Sequence, residues 1–168
     1  MRIYFIGFMG SGKSYWGRQL SEKLNVPFFD LDEKIEEDAG QSISEMFKMH
    51  GEEYFRVREK DVLHLLSEKH KTFVMACGGG TPCFYNNIDY LKKNGIVIWL
   101  STSTETLFNR LIKEKENRPL ISDYSDNELK SYIIKKYSSR KIYYRQANVV
   151  INEEQLSLDA IMNVLFHP

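Results

Sequence analysis

The sequence predicts an α/β fold in which a parallel β-sheet lies between two layers of helices. Short runs of apolar, β-branched or aromatic residues recur along the chain, and segments with a helical pattern separate them. That alternation is typical of strand–helix–strand units with parallel strands. Residues 96–100 are apolar without interruption, as expected of a strand buried on both faces of such a sheet. A chain of 168 residues predicts one domain with a sizeable core.

Each predicted strand is followed by at least one helix, with three consecutive helices between the second and third strands and two between the fourth and fifth. The strands are expected at residues 3–6, 26–29, 72–76, 96–100 and 148–151. The helices are expected at residues 15–24, from about 33 onward, and at 42–49, 52–70, 85–94, 101–113, 126–146 and 156–166.

Local signals support several of these helix boundaries. Ser42 and Glu45 have the spacing of a capping box, which would begin a helix. A break is expected near Gly51, and Gly95 is a plausible residue to follow a helix end. The helix over residues 52–70 is amphipathic, and Glu59 falls near its apolar stripe.

The first strand leads directly into the glycine-rich segment Gly-Phe-Met-Gly-Ser-Gly-Lys-Ser at residues 7–14. The pattern G-x-x-x-x-G-K-S between a strand and a helix is that of a phosphate-binding P-loop. Glycines let successive backbone N–H groups point at one anion, and the following helix adds positive charge at its N-terminus. Lys13 would contact the β- and γ-phosphates, and the Ser14 hydroxyl is a hard oxygen ligand for Mg²⁺.

Polar and glycine residues also follow the next two strands of the predicted sheet. Asp30 and Asp32 come after the second strand, and the glycine triplet 78–80 after the third. Ligands of such folds bind beyond the carboxyl ends of the strands. Two carboxylates beside a P-loop suit a magnesium site and a general base acting on a phosphoryl acceptor. One aspartate is equally expected to cap the next helix, which does not exclude a function.

Residues 113–126 form a polar segment that is interrupted by Pro119 and contains Arg118. We expect this segment to be exposed and mobile. A lid that carries an arginine is chemically sensible, because phosphoryl transfer requires that water be kept out.

Composition excludes several other functions. The chain has 23 basic and 23 acidic residues, which argues against binding to nucleic acid or to an anionic membrane. Cys77 and Cys83 form neither a C-x-x-C pair nor a zinc pattern. There is no signal-peptide layout, and no apolar run approaches the roughly 18 residues of a membrane span. We therefore expect a cytoplasmic protein.

With these motifs in place, the sequence resembles the shikimate kinases, which are small members of the nucleoside-monophosphate-kinase-like P-loop group. The similarity runs from Arg2 to about Ile151 in matching order. Besides the P-loop, it comprises Asp-x-Asp at 30–32, Ser-Ile-Ser-Glu-Met-Phe at 42–47, Phe-Arg-x-x-Glu at 55–59, Gly-Gly-Gly at 78–80, Arg-Pro-Leu at 118–120 and Arg-x-x-Tyr-Tyr at 140–144.

The resemblance implies one P-loop kinase domain over residues 1–168, with a five-stranded parallel sheet in the order 2-3-1-4-5. Residues 31–60 would form the substrate-binding region and residues 113–126 the lid. The implied reaction is transfer of the γ-phosphate of ATP to the 3-hydroxyl of shikimate, in aromatic amino-acid biosynthesis, by a monomer that uses Mg²⁺.

The resemblance also implies roles for individual residues. ATP would contact Gly10, Ser11, Gly12, Lys13, Ser14, Arg110 and Arg118, with Arg110 against adenine. Shikimate would contact Asp32, Arg56, Gly78, Gly79, Gly80 and Arg140, and Phe47, Phe55, Pro119 and Leu120 would pack around its ring. Asp32 would orient or deprotonate the reacting hydroxyl, while Lys13 and Arg118 would stabilise the transferred phosphate. Ser14 and Asp30 would hold the metal.

One departure and two alternatives follow from the same residues. The segment Asn-Glu-Glu at 152–154 lacks the basic residue that some members place near adenine, so nucleotide preference is open. A related small-molecule kinase, such as a gluconate kinase, would also need an arginine clamp. A P-loop module without catalysis would be expected to lack Lys13, Asp32 or Arg118, and all three are present.

Overall fold

The computed structural model describes residues 1–167 of the chain. Five strands are present: β1 (Arg2–Ile6), β2 (Phe28–Asp30), β3 (Phe73–Ala76), β4 (Ile96–Ser101) and β5 (Val149–Asn152). The α-helices of this part of the chain are α1 (Lys13–Leu24), α2 (Leu31–Ala39), α3 (Ile43–Lys69), α4 (Asn87–Asn94), α5 (Thr104–Glu114), α6 (Asp126–Tyr144) and α7 (Leu158–Phe166). Short 3₁₀ turns lie at Thr81–Cys83, Lys115–Asn117 and Glu153–Gln155.

The strands form one parallel sheet in the order β2-β3-β1-β4-β5. The predicted α/β class and strand order are confirmed. Strand β1 is central, and Ile3 lies opposite Val74 of β3 and Ile96 of β4. The loop after β1 therefore lies at the middle of the sheet's carboxyl edge, where binding sites of this architecture occur.

Side chains of β1 alternate between two apolar layers, one on each face of the sheet. Tyr4 and Ile6 pack with residues of α2 to α6, whereas Ile3 and Phe5 pack with residues of α1 and α7. All four side chains are fully buried. Burial on both faces explains why residues 3–6 are apolar without a polar alternate.

The second strand begins two residues later than predicted. Asn25 ends α1 in the left-handed conformation, with φ of 53°, and the Val26 N–H donates to the carbonyl of Ser21. Residue 26 therefore belongs to the helix end, and β2 extends instead to Asp30. The shift brings Asp30 to the end of the strand, where it caps α2 at Leu31 rather than near Glu33.

Other helix boundaries follow their capping residues. The Ser42–Glu45 capping box is formed, and Gly51 interrupts α3 with φ of 82° and ψ of 174°, as predicted. Helix α5 begins at Thr104 rather than at residue 101, because β4 continues through Ser101 and the Ser103 hydroxyl accepts from the Thr106 N–H.

Gly95 follows α4 for a different reason from the one expected. Its backbone is extended, with φ of −175°, so it is not a left-handed helix cap. A Cβ atom at this position would lie 2.4 Å from the carbonyl oxygen of Arg2. Glycine is required there because the chain passes close to β1 as it enters β4.

Within residues 1–167, the helices are all too short or too polar to cross a membrane.

Candidate active site

A cavity of about 1040 Å³ opens at the carboxyl edge of the sheet. It is lined by nearly all the predicted site residues: Gly10, Gly12, Lys13, Ser14, Asp30, Asp32, Arg56, Gly78, Gly79, Gly80, Arg110, Arg118 and Arg140. The predicted ring-packing residues Phe47, Phe55, Pro119 and Leu120 also line it. Ser11 is the exception, because its side chain is buried and its backbone N–H donates to the carbonyl of Phe8.

The P-loop depends on glycine at three of its positions. Gly7, Gly10 and Gly12 have φ of 144°, 83° and 94°, which other residues rarely adopt. The loop wraps around the ammonium group of Lys13, which donates to the carbonyl oxygens of Gly7 and Phe8, both at 2.9 Å. Burial of this ammonium group lowers the pKa of Lys13 to about 8, although Asp32 opposes the shift.

Asp30 serves both as a helix cap and as part of the candidate metal site. Its Oδ1 accepts from the backbone N–H groups of Asp32 and Glu33, at 3.1 and 3.4 Å. Its Oδ2 accepts from the Ser14 hydroxyl at 2.6 Å. Each carboxylate oxygen thus has its own task, so the two interpretations of this aspartate are compatible.

Two adjacent hard oxygens, from Ser14 and Asp30, are a suitable partial ligand set for Mg²⁺. No cluster of three or more His, Cys, Asp or Glu side chains that could hold a metal occurs in residues 1–167. Magnesium in kinases is usually held by one or two protein oxygens, with phosphate oxygens and water completing the octahedron. The residues present fit that arrangement.

Asp32 lies in an environment that disfavours its charge. Burial raises its pKa to about 6, and the carboxylates of Glu59 and Asp30 add to the shift, while Lys13 and Arg56 oppose it. Gly78 leaves room for the carboxylate, because a Cβ atom there would lie 3.0 Å from Asp32 Oδ1. A carboxylate with a raised pKa accepts protons more readily near neutral pH.

Glu59 is a site residue to which the sequence analysis gave no role. It is fully buried, its Oε1 accepts from Arg56 Nη1 at 2.8 Å, and its Oε2 accepts from Thr81 Oγ1 at 2.7 Å. It therefore ties α3 to the loop after β3. The sequence did contain a signal for this ion pair. Glu59 falls in an apolar helix stripe three positions after Arg56, and residues at that spacing lie on the same side of a helix.

Arg56 is held from several sides. Its guanidinium is almost fully buried and lies over the rings of Phe55 and Phe84, at 5.1 and 4.3 Å from the ring centroids. Its Nη1 is engaged by Glu59, and Nε and Nη2 reach the more exposed Glu52 at 3.4 Å. This packing fixes the orientation of the guanidinium in the cavity wall.

The glycine triplet provides space rather than unusual backbone angles. None of its three members has a positive φ. A Cβ atom at Gly79 would lie 3.1 Å from Arg140 Nη1, and one at Gly80 would lie 2.5 Å from Arg56 Nη2. The Tyr144 hydroxyl donates to the Gly79 carbonyl and anchors the loop to α6. Glycine here lets two guanidinium groups approach the backbone from different helices.

Arg118 lies in the cavity wall with its guanidinium engaged by a carboxylate. Its Nε and Nη2 donate to Glu114 Oε2 at 2.9 and 2.7 Å, and its side chain is about one-third exposed. Arg110 donates from Nη1 to the Gly10 carbonyl at 3.0 Å, so it touches the P-loop backbone.

The segment over residues 113–126, expected to be exposed, contains one buried residue. Leu120 is exposed, but the adjacent Ile121 is completely buried in the apolar layer. Lys115 Nζ donates to the Tyr124 carbonyl at 2.8 Å. The segment is therefore anchored at Ile121, because burial of its apolar side chain stabilises this conformation of an otherwise polar segment.

The fold and cavity together define a class of protein. A P-loop at the centre of the carboxyl edge lies beside an acidic residue with a raised pKa and a set of arginines from α3, α5, α6 and the segment between α5 and α6. A phosphate-binding loop that shares its cavity with a separate acceptor pocket is typical of P-loop kinases of small molecules.

Comparison with known proteins identifies the family within this class. The family model described as Shikimate kinase matches residues 9–167. A shikimate kinase of Bacteroides thetaiotaomicron is 38% identical over 156 residues, which are 93% of this chain and 89% of the relative. The chain therefore belongs to the shikimate kinase family.

Solved structures agree with this assignment. The crystal structure of shikimate kinase from Bacteroides thetaiotaomicron superposes with a TM-score of 0.89 at 34% identity, covering 100% of this chain and 99% of that one. A shikimate kinase from Acinetobacter baumannii, solved in complex with shikimate, gives a TM-score of 0.87 at 34% identity, covering 98% and 92%.

Proposed function

We propose that this protein transfers the γ-phosphoryl group of ATP to the 3-hydroxyl of shikimate, giving shikimate 3-phosphate and ADP. The observation that carries the proposal is one cavity, in a member of the shikimate kinase family, that combines a P-loop with an acceptor pocket of Asp32, Arg56 and Arg140. The reaction is a step of aromatic amino-acid biosynthesis.

The charges of the acceptor pocket suit a substrate with one carboxylate. Arg56 is paired with the buried Glu59, whereas Arg140 has no carboxylate within 4.0 Å among residues 1–167. Glu59 and Glu52 thus hold the Arg56 guanidinium in place, and the Arg140 guanidinium is left to pair with the carboxylate of shikimate. Guanidinium groups bind carboxylates through paired, charge-assisted hydrogen bonds, so two of them would fix the orientation of the ring.

Asp32 is the group that would act on the reacting hydroxyl. As the substrate oxygen forms its bond to the γ-phosphorus, the bond from that phosphorus to the leaving oxygen of ADP breaks, and the hydroxyl proton passes to the Asp32 carboxylate. The raised pKa of Asp32 makes it a stronger base than an exposed aspartate. Lys13 and Arg118 would offset the charge that spreads over the transferred group.

Ser14 and Asp30 are the residues that would hold Mg²⁺ on the donor side. The bound ion would neutralise charge on the β- and γ-phosphate oxygens. The remaining contacts of the triphosphate come from the backbone N–H groups of the loop and the N-terminus of α1.

We further infer that the enzyme works as a monomer in the cytoplasm. The monomeric state is the one that the family resemblance implies. Cys77 and Cys83 are free thiols, which fits a reducing compartment.

Measurement of ADP release tests the proposed reaction. With Mg²⁺-ATP present, shikimate is expected to raise ADP release by at least two orders of magnitude over the rate without acceptor, and gluconate is expected to leave it unchanged. Turnover of gluconate but not shikimate would assign the protein to the related sugar-acid kinases. ATP binding without turnover of either acceptor would indicate a non-catalytic nucleotide-binding module.

The pH dependence of activity is expected to report the ionisation of Asp32. At saturating Mg²⁺-ATP, kcat/KM for shikimate should fall about tenfold per pH unit below about pH 6, because protonated Asp32 cannot accept the hydroxyl proton. In Glu59→Gln the acid limb should move to lower pH, since one of the carboxylates that raise the pKa of Asp32 is lost. A profile that stays flat down to pH 5 would remove Asp32 from the base role.

A further inference from the structure

We infer that Tyr15 and Trp16 form an aromatic wall of the nucleotide site, against which the ribose and base of ATP pack. The inference rests on the proposed function, because it takes a nucleoside triphosphate as the phosphoryl donor. It assigns part of the donor site to two residues that no P-loop motif specifies.

Tyr15 and Trp16 lie beside the P-loop because they follow it directly in the sequence. Both come directly after Lys13 and Ser14, in the first turn of α1, and both line the same cavity as the P-loop. Since the loop and the helix N-terminus hold the phosphates, the nucleoside must extend past them along the cavity wall. Tyr15 and Trp16 are the aromatic residues that α1 places there.

The exposure of Tyr15 is unusual for its size. Its side chain is 61% exposed, although it stands in the first turn of a helix that packs against the sheet. The ring contacts Trp16 edge-to-face, with a centroid distance of 5.1 Å and an interplanar angle of 87°. A large ring held at a fixed angle in a cavity wall offers a face for another flat group.

Trp16 is fixed against the P-loop itself. A Cβ atom on Gly12 would lie 3.2 Å from its Cδ1 and 3.5 Å from its Nε1, so the indole lies against the loop backbone. The indole also packs on the apolar layer beneath α1. Trp16 therefore forms a rigid support, and Tyr15 stands above it in solvent.

Helix α5 presents a second planar group to the cavity. Arg110 lines the same cavity from α5, and its guanidinium is held on the Gly10 carbonyl at 3.0 Å. Aromatic rings and guanidinium planes both stack on nucleobases, and stacking accepts any base because each has a π-face. The pair would therefore add affinity for the nucleoside without selecting its base.

Binding of ADP and of inorganic tripolyphosphate separates a nucleoside contact from a phosphate contact. By calorimetry, Tyr15→Ala is expected to raise the Kd for ADP roughly tenfold, while the Kd for tripolyphosphate stays within about twofold. Tyr54→Ala is the matched control, because Tyr54 is an exposed aromatic residue that does not line the cavity. An unchanged Kd for ADP, or equal weakening of both ligands, would overturn the inference.

Tryptophan fluorescence gives a second measurement that does not require removal of an aromatic ring. Trp99 is only 4% exposed, so acrylamide should quench mainly Trp16. ADP is expected to reduce the quenching of Trp16 by acrylamide, whereas tripolyphosphate is expected to leave it unchanged. In Trp16→Phe the reduction by ADP should disappear. Quenching of Trp16 by acrylamide that ADP does not change would also overturn the inference.

These outcomes are distinguishable from failure of the proposed function. A protein that phosphorylates shikimate but binds ADP equally well with and without the Tyr15 ring would contradict only the aromatic wall. A protein that binds ADP in the expected manner but does not phosphorylate shikimate would contradict only the reaction.

Discussion

Asp32→Asn is expected to lower kcat about 10³-fold while the affinity for ATP stays within about twofold. The amide keeps the shape of the side chain but cannot accept the hydroxyl proton. Lys13 and Ser14 hydrogen-bond to Gly7, Phe8 and Asp30 rather than to Asp32, so the P-loop should keep its shape and nucleotide binding should persist. Steady-state ADP release and calorimetric ATP titration together measure the two effects. Normal activity in this variant would remove Asp32 from the mechanism.

The same substitution is expected to stabilise the folded protein at neutral pH. The folded state raises the pKa of Asp32 from 3.8 to about 6, so its ionised form opposes folding. The shift of about two pH units sets an upper limit of about 3 kcal/mol. This loss of folding free energy is greatest above pH 6, decreases as the pH falls, and disappears below the pKa of Asp32 in the unfolded chain.

Thermal unfolding at two pH values tests whether Asp32→Asn stabilises the protein as expected. Asp32→Asn should unfold at a higher temperature than the wild type at pH 7, and the difference should be clearly smaller at pH 5. Asp61→Asn is the control, because Asp61 is an exposed carboxylate on α3. Lower stability of Asp32→Asn at pH 7 would contradict the raised pKa.

Arg118→Ala is expected to lower kcat by about 10³-fold or more, with KM for shikimate changed only a few-fold. In the proposed mechanism its guanidinium contacts the transferring phosphoryl group, so its contribution is made mainly in the transition state. Arg118→Lys should recover a small part of the loss, because an ammonium keeps the charge but not the planar fork. Steady-state kinetics with both substrates varied would measure these changes.

Two control variants test whether the loss of activity is specific to the Arg118 guanidinium. Arg145→Ala removes an exposed arginine at the end of α6 and should leave kcat unchanged. Glu114→Gln removes the carboxylate that engages Arg118 and should not lower kcat, because the exposed pair stabilises the fold by less than about 1 kcal/mol. A loss in Glu114→Gln equal to that in Arg118→Ala would mean that the pair acts as one structural unit.

Local signals in the sequence predicted most of the fold. The alternation of apolar runs and helical segments corresponds to the strands and helices of the described residues, and the strand order implied by the resemblance is confirmed. Errors occurred at ends of elements. The β2 boundary moved because the left-handed turn at Asn25 was not recognised, and α5 started late because Ser103, rather than Ser101, is its cap.

The residues of the candidate site were recognised, but their arrangement was not. One of Asp30 and Asp32 was expected to cap the next helix without losing a function, and the residue that does so is Asp30, with one carboxylate oxygen on the helix N-terminus and the other on Ser14. Arg118 was expected at the transferring phosphate, and its pairing with Glu114 was not considered, although a spacing of four residues made it foreseeable. The catalytic and binding roles of these residues stay predictions.

By itself the sequence determined the P-loop, since its glycines, lysine and serine are adjacent and its backbone shape follows from local preferences. Only the tertiary structure decided the electrostatics of the acceptor pocket. The pKa of Asp32 depends on Glu59, 27 positions further along the chain, and Glu59 binds both Arg56 and Thr81, the latter 22 positions beyond it. The glycine triplet is likewise explained by side chains from distant elements, since Asp32 lies against Gly78, Arg140 against Gly79 and Arg56 against Gly80. Burial and charge act through space, so these properties appear only when the chain is folded.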